Sequence, residues 1–270
     1  MKRFKPRSVI ANLTRVAAIS FLRFFVACSD DDSDSFLVKG DDTSYSSEDD
    51  EPESSSARSS SSSGRSSSSS SDWLDSVEEV APCRTEETDS CKYGELVDSR
   101  DGQTYRTVVI GNQTWMAENL NFKSDSCQCF NNQSGYCDKY GQLYTWAEAM
   151  EICPAGWHLP SLNEWKTLYI AAGGLETSAS RLRADYDWES RSMGTDEFGF
   201  TVLPGGAYLA EDYREFRYGG TKAIFWTSTK ESNTSNGVRM HDICFDERGG
   251  IVDGNGSVNG NTFSVRCIKD

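Results

Sequence analysis

The sequence predicts an α+β domain with a mainly antiparallel sheet, two main helices and long loops, carried behind a leader that builds no core. Three observations lead there. Strand-like runs with hairpin-type turns stand before and after a helical middle. Eight cysteines are spread through the part that carries those runs. The first third, by contrast, is acidic and serine-rich. It pulls the hydrophobic content of the 270 residues down to 37% and the net charge to −15.

The chain opens with Lys2, Arg3, Lys5 and Arg7, then two apolar runs, VAAISFL at 16–22 and FFVA at 24–27, ending at Cys28. A positive start, a short apolar stretch and a small residue before a processing point have the layout of a bacterial export signal. Ala27 before Cys28 resembles a lipobox, so Cys28 is the expected lipidation site and the mature N-terminus. Arg15 and Arg23 interrupt the run, and Phe25 stands where leucine is usual. The stretch is too short and too charged to span a bilayer.

Between 29 and 53 there are eleven Asp or Glu against Lys39 alone, and 54–71 holds fourteen serines in eighteen positions. Such a segment cannot bury enough apolar area to offset its ordering entropy. It is expected to be a disordered linker over 29–80, with like charges extending it. One compact domain is expected over 81–270. An acidic chain with no basic stripe beyond its first residues argues against nucleic acid as a partner.

If Cys28 carries lipid, Cys83, Cys91, Cys127, Cys129, Cys137, Cys153, Cys244 and Cys267 remain. An even set in an exported domain points to four disulfides, with 105 pairings open to sequence alone. Metal is the other use of cysteine. No CxxC occurs and the only histidines are His158 and His241, whereas zinc sites need paired ligands at short spacing. No metal and no cofactor is expected.

The elements follow in order. Asp101-Gly102 and Gly111-Asn112 sit between strand-like runs over 94–121 and predict an antiparallel meander. Asp98 and Asp101 are read as turn formers, because DSRDG lacks the EF-hand ligand set. In YGQLYTWAEAMEI, Leu143, Trp146 and Met150 recur at helical spacing and predict a core helix. CPAGWHLPSLNEW, at 153–165, raises the question whether His158 and Cys153 are reagents or architecture. Ser161 and Glu164 fit a capping box; Leu162, Trp165, Leu168 and Ala172 form one apolar stripe; Gly173-Gly174 stops the helix. His158, in the turn entering that helix, is read as a hydrogen-bonded packing residue. The stretches 185–196 and 205–220 read as long loops, and 223–229, 238–245 and 262–268 as strands with Gly-Asn and Asn-Gly turns between them.

Seven motifs then occur in order: WMAENL at 115–120, YGQLYTW at 140–146, CPAGWHLP at 153–160, FGF at 198–200, LPGG at 203–206, FWTST at 225–229 and SVRCI at 264–268. Together they resemble the Fibrobacter succinogenes major paralogous domain, over about 94–270. A lipoprotein-like start and a serine-rich linker also look like members of that family. The resemblance implies a C-type-lectin-like fold, more distantly similar to formylglycine-generating sulfatase modifiers. It implies that Cys153 pairs with Cys267. With that pair taken, the equal intervals favour Cys83–Cys91 and Cys129–Cys137, and Cys127–Cys244 is left. It supplies no mechanism.

Three functions follow as expectations. The first is a lipid-anchored, exported binding module at the outer membrane or cell surface, taking a polysaccharide or a surface protein. Its candidate rings are Trp188, Tyr208, Tyr213 and Tyr218, aromatics on loops beside a rigid sheet. The lectin calcium signatures Glu-Pro-Asn and Trp-Asn-Asp are absent after residue 81. The second is an envelope structural or assembly protein without a small ligand. The third is an enzyme of the formylglycine-generating kind, which needs a reactive cysteine pair that Cys244 and Cys267 do not offer if both are bridged. No GxSxG, HExxH or P-loop pattern occurs. A non-enzymatic binder is the expectation.

Overall fold

The first three strands are set by two tight turns. The computed structural model describes residues 77–189, 193–210, 214–234, 237–246 and 251–270. The proposed signal with Cys28, the linker up to residue 76 and Tyr213 lie outside the described residues. Strands β1 (Tyr93–Val97), β2 (Thr104–Ile110) and β3 (Gln113–Met116) form the expected antiparallel meander. Its first turn is closed by Asp98, whose amide donates to the Gln103 carbonyl at 2.8 Å. The buried Asp98 carboxylate accepts from the Arg100 amide, Nε and Nη2, and those bonds hold its pKa below the ordinary carboxylate value. Gly102 and Gly111 take positive φ at the two corners, which L side chains resist.

Helix α1 (Ser134–Tyr140), strand β4 (Leu143–Tyr144) and helix α2 (Trp146–Ala149) come next. The long core helix expected from the 143, 146, 150 spacing is therefore not formed. Thr145 caps α2 in a box with Glu148, so Leu143 lies before the helix and pairs as a strand. Met150 is exposed. Strand β5 (Trp157–His158) leads into α3 (Leu162–Ala171). Here Ser161 accepts from the Glu164 amide and the Glu164 side chain reaches back, as the sequence predicts. Leu162, Trp165, Leu168 and Ala172 are all buried. Gly173 and Gly174 end α3, but Gly174 also opens a further helix, α4 (Leu175–Leu182).

The stretch 205–220 is not a plain loop. It holds the hairpin β6 (Ala207–Leu209) and β7 (Glu215–Arg217). Strands β8 (Lys222–Thr234) and β9 (Gly237–Asp246) form a long antiparallel pair, and β10 (Ile251–Ser257) adds to its edge. Gly254-Asn255 thus lies inside a strand and not at a turn. Strands β11 (Phe263–Ser264) and β12 (Ile268–Lys269) close the chain.

Two five-stranded sheets result, ordered β1-β2-β3-β12-β5 and β10-β9-β8-β11-β4. All strand pairs are antiparallel except β11 with β8. The segment 263–269 passes from one sheet to the other, so Val265, Arg266 and Cys267 lie at the seam. One core cluster surrounds Trp165, whose ring meets Trp115 at 4.9 Å and Phe225 at 5.4 Å. A second surrounds Trp226, stacked on Phe263 at 4.1 Å. Val77 and Val80 pack on the first cluster, and the Val80 amide donates to Ala171 at 2.9 Å.

Among the described residues three disulfides join pairs: Cys83–Cys91, Cys129–Cys137 and Cys153–Cys267. The last ties the approach to α3 to the seam across 114 residues. The expected Cys127–Cys244 pair is not formed, because Cys127 is a free thiol. Its Sγ accepts from the Ser124 amide at 3.3 Å and donates to the Ser124 carbonyl at 3.4 Å, a local turn that holds it. Cys244 is buried on β9.

Candidate binding site

Of the expected ring residues, the three that are described, Trp188, Tyr208 and Tyr218, are buried or half-buried. Trp188 is 5% exposed and belongs to the first core cluster. Its Nε1 donates to the Val202 carbonyl at 3.2 Å, and the Arg183 guanidinium lies 5.0 Å from its ring. Its apolar body and single donor are both satisfied inside, so it is corrected from a ligand candidate to a packing residue. Tyr208, on β6, is half-buried against Phe216 at 5.0 Å. Tyr218 is half-buried beneath Lys222, whose Nζ is 4.6 Å from the ring.

A concave feature lies elsewhere among the described residues. A cleft of about 330 Å³ opens between the edge of β2, the segment after β3, and α1. Tyr105 and Ala117 are buried at its floor, and Glu118, Asn119 and Asn121 line one wall. Asp138, Lys139 and Gly141 line another, and Arg106, Tyr186 and Thr201 complete it.

Glu118 is placed there by the fold of its neighbours. In 115–120 every other residue is buried and Glu118 alone is exposed. Its Oε2 accepts from the Arg106 amide at 3.3 Å. Asn119, beside it, is fixed from behind: its Nδ2 donates to the Tyr140 carbonyl at 2.8 Å. Its Oδ1 accepts from Arg266 Nε at 3.1 Å and Nη2 at 2.5 Å. Arg266 also donates to the carbonyls of Phe200 and Thr201 and lies 4.6 Å from the Phe200 ring. Burial without a carboxylate in contact pulls its guanidinium down to about 9, which still leaves it charged at neutral pH. A buried cation held by one amide and two carbonyls pins three distant segments together.

The far wall is fixed by a second relay. Arg106 Nη2 donates to Thr201 Oγ1 at 3.1 Å, and Thr201 Oγ1 donates to Asp196 Oδ2 at 2.8 Å. The other Asp196 oxygen accepts from the Thr201 amide, and Arg84 Nη1 reaches Asp196 at 2.5 Å. Burial raises the Asp196 pKa, and the Thr201 bonds and Arg84 pull against that rise. On the rim, Tyr186 is 47% exposed. Lys139 is paired with Asp187 at 2.6 Å. Asn121 donates its amide to the Tyr105 hydroxyl at 3.1 Å, while its Oδ1 is buried without a partner. Burial pushes the Tyr105 phenol up to about 12.

The cleft therefore offers the Asn121 amide, the Glu118 and Asp138 carboxylates and one exposed ring on a rigid frame. Groups of this kind can hydrogen-bond a polar ligand and present it one ring face. Among the described residues no group of three or more His, Cys, Asp or Glu stands together to hold a metal. No helix among them is long and apolar enough to cross a membrane.

The motifs that build this frame decide the family. The sequence model of the Fibrobacter succinogenes major domain matches residues 108–269. The chain belongs to that family. Within the Fibrobacter succinogenes major domain lie Glu118, Asn119, Tyr140, Phe200, Thr201 and Arg266, so the domain itself carries the wall and its buried support. The β2 edge, with Thr104, Tyr105 and Arg106, precedes the matched span. No curated protein matches the chain, and no solved structure matches it.

His158 is architecture. Its Nδ1 lies 2.7 Å from Asp270 Oδ1 and its Nε2 2.8 Å from Glu164 Oε1. Both partners are carboxylates, so both ring nitrogens donate and the imidazolium is the form that fits. Sequence reasoning missed Glu118, Asn121 and Tyr186. For Glu118 a signal was present: a lone charge inside an otherwise apolar WMAENL run.

Proposed function

We propose that this protein is an exported lipoprotein whose Fibrobacter succinogenes major domain binds a saccharide in the cleft, at the cell envelope or surface. The observation that carries the reading is the convergence of Glu118, Asn121 and the exposed Tyr186 ring on a frame locked by Asn119 and Arg266. Fixed donors and acceptors cost a ligand little ordering. A half-exposed tyrosine gives an apolar face with a polar tip. The lectin-like fold implied by the resemblance is in keeping with this use. Catalysis is not part of the proposal, and Cys267, held in its bond to Cys153, is not offered as a nucleophile.

In this proposal Cys28 carries lipid and the acidic, serine-rich segment is a spacer. About fifty coil-like residues span on the order of 35–40 Å, and charge repulsion extends them further. That reach lifts the domain off the membrane.

Calorimetric titration of the full chain with soluble polysaccharides and their oligosaccharides tests the cleft. Glu118→Gln and Tyr186→Ala are each expected to weaken binding about tenfold, equivalent to about 1.4 kcal/mol. Binding that is unchanged in both variants would remove the cleft from the mechanism. A protein that co-purifies with an envelope partner and has no saccharide affinity would instead support an assembly role.

A further inference from the structure

We propose that a ribbon of five aromatic rings continues the cleft into an extended binding face for a neutral polysaccharide chain. The inference rests on the saccharide reading and adds the ligand's length and its charge. The rings are Tyr140, Tyr136, Phe130, Phe216 and Tyr208. Successive centroids are 5.8, 5.3, 5.5 and 5.0 Å apart. They come from α1, the turn before it, and the β6–β7 hairpin, so the fold assembles a row that sequence separates.

The row starts at the cleft. Lys139 and Gly141 flank Tyr140 and line the cleft wall, and the Tyr140 carbonyl is anchored by Asn119. Its middle is fixed from beneath. Phe130 is buried, and a Cβ on Gly206 or Gly219 would come within 2.6 Å of its ring. Those two glycines let the hairpin lie directly on Phe130, which sets where Phe216 and Tyr208 sit.

The other four rings are half-buried. The hydroxyls of Tyr136 and Tyr208 make no hydrogen bond among the described residues, and neither is a buried orphan, so both remain available to water or ligand. A repeating ligand with apolar ring faces and hydroxyl edges fits the four half-buried rings, with Phe130 as the buried support between them.

The charge of the ligand follows from the flanks. Lys139 is neutralised by Asp187 at 2.6 Å, Arg217 is paired with Glu215, and Lys222 lies over Tyr218. These three cations along the row are engaged, and among the described residues of the hairpin Arg214 alone is exposed outside such pairs, too little positive charge to meet a run of uronates or phosphates. The net charge of −15 further disfavours an acidic chain. A neutral chain meets neither barrier.

The test is a length series. Full-chain protein is titrated with oligosaccharide ladders of mannan, xylan and β-glucan, with polygalacturonate as the acidic arm. For the neutral ladder that binds, affinity is expected to rise at least tenfold from the shortest to the longest members. Tyr136→Ala and Phe216→Ala are expected to abolish that rise and leave the shortest member bound as before. Tyr136 lies on α1 and outside the hairpin, so its variant reads the ribbon even if Phe216→Ala perturbs β6–β7. Length-independent affinity, ribbon variants that keep the rise, or preference for polygalacturonate would overturn the ribbon and leave the cleft reading in place. Absence of binding to every neutral saccharide would overturn both.

Discussion

His158 shows how a single residue's partners decide its charge and its job. Burial pulls its pKa down, but the hydrogen bonds it donates to Asp270 and Glu164 outweigh burial and raise it above the ordinary 6.5. A raised folded pKa means that its stabilising contribution is whole below the unfolded value and is lost as pH rises through the folded one. Thermal melts of the wild type are therefore expected to show stability falling above about pH 6.5, and His158→Gln is expected to flatten that decline. A variant with the same pH slope as wild type would show that the two carboxylates do not hold the imidazolium. Asn119 gives the complementary case. Asn119→Ala leaves two buried Arg266 donors without an acceptor, and unfolding free energy is expected to drop by roughly 3 kcal/mol, read by chemical denaturation. At this scale the sequence was half legible. The Ser161 and Glu164 box and the packing role of His158 could be read from local spacing. Trp188 could not, because an aromatic among charges reads as loop surface, and only the fold shows that Val202 and Arg183 enclose it.

Elements were legible where a local signal fixed their ends. The DG and GN corners set the β1–β2–β3 meander, and the cap and double glycine bounded α3. They were illegible where tertiary contact overrode periodicity. Leu143 and Trp146 share a helical spacing, yet Thr145 caps a helix between them and Leu143 pairs with Ser264. Helix α4 went unread because Gly173 and Gly174 mark a stop as strongly as they permit a new start. The β6–β7 hairpin is short, and it is held by Phe130 and by the bonds of Tyr208 with Thr262 more than by its own pattern. The bond between Cys153 and Cys267 joins these elements. Cys153→Ser with Cys267→Ser is expected to cost about 2–5 kcal/mol in denaturant unfolding, since the bond closes a loop of 114 residues. A loss well under 1 kcal/mol would show that the seam holds without it.

For the whole molecule, thiol chemistry checks the frame. Peptide mapping without reduction is expected to recover the bridges 83–91, 129–137 and 153–267, and alkylation of the native protein is expected to label Cys127. A Cys127–Cys244 cross-link would contradict the structure. The anchor is checked separately. Cys28→Ala is expected to shift the protein from the membrane fraction to the soluble fraction of the envelope, and an unchanged distribution would remove the lipid from the proposal. The cleft is a whole-molecule property, which is why it was hidden in the sequence. Arg106, Glu118, Lys139, Tyr186 and Thr201 come from five separate segments, and only the two sheets, joined through Arg266, bring them together. Backbone NMR of isotope-labelled full chain, titrated with the neutral oligosaccharide that binds best, tests the central claim most directly. Shifts are expected to concentrate on Glu118, Asn119, Asn121, Lys139 and Tyr186. Shifts confined to another face, or none at saturating ligand, would contradict it.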